Sequence, residues 1–266
     1  MKNLIVITIV FLFFSTTFIV AETPDEDWVR QYDCRLRSGE IVIDGVGDEF
    51  AWSLAPDVGE FTWFNPPDDK KDCRKVRNRT TAKILWDENN LYFLISVEDP
   101  DIYSSMTVRD VACLCREETI EIFIDADGDE KDYAEIHINC LNTINDIWIP
   151  KRDFKFSDGS PVNWKDLYAW TQVGMQYAVM NHGTINNDED VDKGSVFEIS
   201  MPWKGFGKIA GDANIPPKPG DVWRININRY ERPSREKEDL SGWAPLFRTG
   251  YHYPERFGYV KMTGEH

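Results

Sequence analysis

Basic residues are in deficit: 30 Lys and Arg stand against 46 Asp and Glu, a formal net charge of −16 at pH 7. A surface of that sign repels phosphate backbones and anionic headgroups, so nucleic acid and anionic lipid are excluded as partners, while neutral ligands and divalent cations remain. Beyond residue 21 there is no long apolar run, so nothing there approaches the roughly 20 residues that cross a bilayer as a helix. No Pro-, Ser- or Gly-rich linker divides the chain, whose length suits one large domain with a full core. Helical periodicity is scarce, with short candidates only at Asp48–Leu54 and Lys204–Ile209.

What is present begins with an export pattern. Lys2 precedes the apolar run Leu4–Val20, then Ala21, then the acidic stretch from Glu22. A charged start, an apolar centre and a small residue predict a signal peptide over 1–21, removed on export to a secreted or periplasmic location. A single-span anchor is the alternative, at the lower length limit for a span. Removing 1–21 takes away Lys2 alone among charged residues. Residues 22–40 are read as a lead-in and 41–263 as one domain. In an oxidising compartment, Cys34, Cys73, Cys113, Cys115 and Cys140 suggest two disulfides and one thiol, with the pairing open.

Strand patterns dominate. Thr80–Trp86 and Leu91–Val97 flank the turn residues Asp87 to Asn90, and Glu118–Asp125, Tyr133–Asn139 and Thr143–Ile149 follow one another. Ala169–Val179, Val196–Met201, Val222–Tyr230 and Phe257–Met262 complete the series. Many short strands with turns between them predict an all-β fold, an antiparallel β-sandwich of jelly-roll type in a single domain. Trp52, Trp86, Trp148, Trp203 and Trp223 lie in or beside strands and are expected in the core. Trp63, Phe64, Trp164, Trp243, Tyr251 and Tyr253 lie in loops, where a ring can face solvent and stack on the apolar face of a sugar.

In Glu118–Asp125, Ile120, Ile122 and Ile124 alternate with Thr119, Glu121 and Phe123. Glu121 thus stands mid-strand on a sheet face, where an ionised carboxylate requires a partner or a ligand.

Six motifs in order then carry a resemblance: IDGVGDEFAW at Ile43–Trp52, TTAKILWDENNLYFLISVEDPDI at Thr80–Ile102, EETIEIFIDADGDEKDYAEIHIN at Glu117–Asn139, FEISMPWKGFG at Phe197–Gly207, PPKPGDVWRININR at Pro216–Arg229 and HYPERFGYV at His252–Val260. With these the chain resembles the carbohydrate-binding module family 9-like domains, secreted β-sandwiches. The resemblance implies a saccharide clasped between two tryptophans, with a glutamate contact at the position of Glu121 and an arginine contact at the position of His137. The tryptophan positions are held here by Cys115 and Tyr251, so the scaffold is kept while the aromatic clasp is not.

The expected binding cleft is lined by Glu121, His137, Tyr251 and His252, with Arg109 at its rim. Glu121 and the histidines would bond sugar hydroxyls and Tyr251 would stack. The other reading of Glu121 is a buried pair with a histidine or Arg109. In DADGDEKD, Asp125, Asp127, Asp129 and Asp132 resemble the opening of a calcium loop, without the sixth-place glycine and twelfth-place glutamate of an EF-hand. A structural Ca2+ and an acidic turn left in water are the two readings.

The expected function is non-catalytic binding of an oligo- or polysaccharide, alongside partner glycoside hydrolases. A glycoside hydrolase using Glu118 or Glu121 with a neighbouring acid is a second reading, weakened because Glu118 and Glu121, an odd number apart, face opposite sides of one strand. A haem site from Met175, Met180 and His182 is a third.

Overall fold

The computed structural model describes residues 29–63, 76–155, 158–233, 238–247 and 250–264. The expected signal peptide, Phe64 and Cys73 lie outside them. In chain order the elements are β1 (Gln31–Leu36), α1 (Phe50–Leu54), β2 (Thr62–Trp63), β3 (Thr80–Trp86), β4 (Asn90–Val97), β5 (Thr119–Asp125), β6 (Lys131–Asn139), β7 (Ile144–Lys151), α2 (Trp164–Leu167), β8 (Gln176–Asn181), β9 (Ser195–Pro202), β10 (Val222–Glu231), β11 (Asp239–Gly242) and β12 (Gly258–Met262).

One sheet runs β7-β6-β5-β10-β12-β1 and the other β1-β3-β4-β9-β8, with β11 and β2 added beside β10. β1 belongs to both. Gln31 to Cys34 pair in parallel with Tyr259 to Met262, and Arg35 and Leu36 then pair in parallel with Leu85 and Trp86. The fold is therefore the expected all-β sandwich, antiparallel except at this one strand. The stretch read as a lead-in contains the strand that stitches the sheets together. It is fixed from inside by Tyr32, whose hydroxyl bonds the carbonyls of Pro56 and Ile84, both at 2.9 Å.

Between the sheets, Ile120, Ile122 and Ile124 of β5 meet Ile84, Phe93 and Ile199 in one continuous core. Each such side chain contributes about 1.5–3 kcal/mol by leaving water. Trp52, Trp86, Trp203 and Trp223 are buried as expected, and the half-buried Trp148 packs against the same core. The one-turn α1 exists to place Trp52, whose indole N–H donates to Glu198 at 2.9 Å. The strand expected over Ala169–Val179 begins only at Gln176. Gln172 N is tied to Asp146 at 2.7 Å and Gly174 takes φ +80°, so the chain turns there before it can extend.

β5 is buried on both sides, not on one. Its outer face is covered by a second apolar cluster containing Phe123, Tyr133, Leu167, Leu246, Tyr251 and Phe257, to which the loops after β7 and β11 contribute. Cys34, Cys113, Cys115 and Cys140 are free thiols, so the expected pair of disulfides is not formed. Burial in the core accounts for Cys34, which packs between the sheets as a small hydrophobe.

Candidate functional site

On the outer face of the first sheet, register lines up one polar row across four strands. Asn145 on β7 lies opposite His137 on β6, His137 opposite Glu121 on β5, and Glu121 opposite Asn228 on β10. Alternation places Glu135, two residues before His137, on the same face. His137 Nε2 lies 2.9 Å from Glu121 Oε1 and 2.6 Å from Glu135 Oε1, while Asn228 Nδ2 donates to Glu121 Oε2 at 3.2 Å. Glu121 and His137 thus meet as expected. They do so as a buried pair, 1% and 5% exposed.

The charges follow from that burial. Burial alone would drive His137 down, but Glu121 and Glu135 outweigh it and raise the imidazole to about 10. Glu121 is pushed up to about 7 by burial, against the pull of His137. Glu135, though buried, is held below its ordinary value by His252 and His137. We take His137 as the cation of the group and Glu135 as its most firmly ionised partner, since Glu135 makes the shorter contact with it. Several polar atoms remain unanswered: Glu135 Oε2, His137 Nδ1, Asn145 Oδ1 and Asn228 Oδ1 are buried without a hydrogen-bond partner among the described residues.

His252 stands at the mouth of this row. Its Nδ1 is 3.0 Å from the Tyr133 hydroxyl, its Nε2 is 3.8 Å from Glu135 Oε2, and its side chain keeps 29% exposure. Its ring meets Phe154 edge-on at 5.0 Å, and Phe154 in turn lies 5.7 Å from Trp164. Trp164, which opens α2, is 61% exposed. Tyr253 is half-buried, with the Arg152 guanidinium 3.9 Å above its ring. The mouth is therefore aromatic, and its exposed ring is Trp164.

Two expected lining residues are elsewhere. Tyr251 is only 3% exposed, meeting Tyr230 edge-on at 5.1 Å, with its hydroxyl donating to the Arg229 carbonyl at 3.4 Å. It fills the space under the covering loops and has no face to offer solvent. Trp243, also expected to face outward, is buried and donates to the Val58 carbonyl at 2.7 Å. Arg109 pairs with Asp146 and lies 3.4 Å from Asp110. Asp146 is opposite Ile136 and so on the sandwich side of β7, away from the row.

At the acidic turn between β5 and β6, carboxylate oxygens of Asp125, Asp127 and Asp129 lie within 4.8 Å of one another. Asp132 does not join them, because its carboxylate accepts the Trp148 indole N–H at 2.9 Å. Asp125 accepts backbone N–H groups from Gly128 and Glu130, both at 3.0 Å, and Asp127 accepts Asp212 N at 3.0 Å. Gly211 takes φ +50° against Asp127, where any Cβ would collide with the carboxylate. Burial raises Asp125 to about 7. Three hard oxygen donors in one loop fit a calcium ion.

Among the alternative groups, Glu118 accepts the amides of Tyr103 and Arg232, both at 3.1 Å, and does not converge with Glu121. Met175 packs against the core, whereas Met180 is 38% exposed on β8.

The sequence family described as carbohydrate family 9 binding domain-like matches residues 43–265. Curated relatives include an endo-1,4-beta-xylanase A of Thermotoga maritima, 24% identical over 84% of this chain, and one of Thermotoga neapolitana, 22% identical over 84%. The chain spans only 17% of the length of either relative. Among solved structures, a carbohydrate binding module family 9 from Caldicellulosiruptor kristjanssonii in complex with cellotriose superposes with a TM-score of 0.54 at 17% identity, over 89% of this chain and 95% of that one. A putative carbohydrate-binding protein from Bacteroides uniformis gives 0.59 at 11% identity, over 88% and 99%.

Proposed function

The chain belongs to the carbohydrate family 9 binding domain-like family, and from that premise we propose that it binds a saccharide, without turning it over, at the mouth of the outer face of its first sheet. The observation that carries this reading is the aromatic grouping of the exposed Trp164 with the half-buried Phe154, His252 and Tyr253, joined to the row built on Glu121 through the approach of His252 to Glu135. Trp164 supplies the stacking face expected of Tyr251, and His252 supplies a hydrogen-bonding edge. The buried row below orients His252 through Glu135 and Tyr133. Export by residues 1–21 and service to partner glycoside hydrolases complete the reading, supported by the xylanase relatives of which this chain matches a part.

Glu121 serves as a pillar of the site. A retaining or inverting hydrolase needs two carboxyls flanking the bond it cleaves, in place of one imidazole clamped between them. Incubation with xylan and cello-oligosaccharides should release no reducing sugar above a Glu121→Gln control. Release by the wild type that this variant abolishes would replace the binding role with a catalytic one.

We also propose that Asp125, Asp127 and Asp129 hold a structural calcium ion. Oxygen-only donors and the negative charge of the loop support it.

A further inference from the structure

We propose that Glu121, Glu135 and His137, with His252 as the outer partner of Glu135, form a binding site for a transition-metal dication of the zinc class beneath the loops of the outer face. His137 Nε2 faces two carboxylates at 2.9 and 2.6 Å, so its one N–H can serve them only as a shared, bifurcated donor. A metal ion at the convergence takes all three inner donors at once. The three inner residues bring ligand atoms within 4.8 Å of one another. His252 Nε2, 3.8 Å from Glu135 Oε2, stands outside that convergence and backs Glu135 from the mouth.

The second observation is the orphaned Glu135 Oε2, buried without a hydrogen-bond partner and facing His252. Two outer contacts support the set, Asn228 on Glu121 Oε2 at 3.2 Å and Tyr133 on His252 Nδ1 at 3.0 Å. This is how outer partners orient metal ligands and leave the inner atoms free to converge. One imidazole and two carboxylates suit zinc and its first-row neighbours, whereas calcium prefers oxygen alone. A dication also balances the two carboxylates. The proposal stands on this geometry and does not require the saccharide reading.

The test uses the full chain, stripped with chelator and titrated with Zn2+ against a chromogenic competitor, with Co2+ as a spectroscopic substitute. One equivalent should bind, and Co2+ should give visible bands of a low-coordinate site. Because loss of an outer partner alone weakens metal sites about 10–100-fold, His137→Gln and Glu135→Gln should each weaken binding at least about 100-fold. Asp127→Asn with Asp129→Asn should leave Zn2+ binding unchanged. If a buried variant fails to fold, His252→Gln at the half-exposed mouth carries the same comparison, with at least about a tenfold loss expected. Absence of stoichiometric Zn2+ binding by the wild type overturns the proposal, as does binding unaltered in folded His137→Gln, Glu135→Gln or His252→Gln.

Discussion

Tyr251 shows how a single side chain is placed by parts of the molecule far from it in sequence. Its neighbours His252 and Tyr253 look like a loop, and it is the covering of the sheet that buries it against Tyr230 and Phe123. Tyr251→Ala should therefore cost about 3–5 kcal/mol in urea unfolding, as for other large core rings. A loss below about 1 kcal/mol would mean the ring is not buried in solution. Glu118 carries a pH signal of its own. Burial and then Asp99 raise its carboxyl to about 8 from an ordinary 4.5. A folded value above the unfolded one means the native state holds the proton more tightly. The stability it contributes is complete below about pH 4.5 and is lost as the pH rises towards about 8. The melting temperature should fall between pH 5 and 8, and Glu118→Gln should flatten that fall. An identical slope in the variant would place the titration elsewhere. Glu135 was legible only in part: its spacing from His137 puts both on one face, but its meeting with Glu121 depends on the register of β5 with β6.

Among the elements, β1 carries the largest consequence for its length. Tyr32 and Cys34 alternate inward, yet six residues ahead of any longer run look like a lead-in until their partners β12 and β3 are known. A chain starting at residue 41 should fail to fold cooperatively, while one starting at residue 22 should match the full chain in circular dichroism and melting. Equal stability of the two would deny β1 its bridging role. β2 and β11, two and four residues long, have too few positions to show a period at all. The longer strands were legible because alternation of large apolar residues is a local signal, as with Ile120, Ile122 and Ile124 in β5 and Trp223, Ile225 and Ile227 in β10. The acidic turn between β5 and β6 tests the calcium proposal. A ligand at about 100 times its Kd stabilises the native state by about 2.7 kcal/mol, so the melting temperature should rise with Ca2+ and fall with chelator. Asp127→Asn with Asp129→Asn should abolish that response, and equal melting curves with and without the ion would leave an acidic turn in water.

At the scale of the whole molecule, the outer face of the first sheet is roofed by its own loops, so the proposed saccharide would meet the mouth and not the row beneath. Strand register fixes the position of Glu121, and the covering loops bury it. That division was invisible in the motifs, which place strands but not the loops that cover them. Calorimetric titration of cello- and xylo-oligosaccharides into wild type, Trp164→Ala and His252→Ala tests the central claim most directly. The exposed Trp164 should be removable with little change in melting temperature, and loss of a stacked ring, about 1–3 kcal/mol, should weaken binding roughly tenfold to a hundredfold, with a similar direction for His252. Undiminished affinity in both folded variants, or wild-type protein that binds no saccharide across a glycan array, would contradict the account.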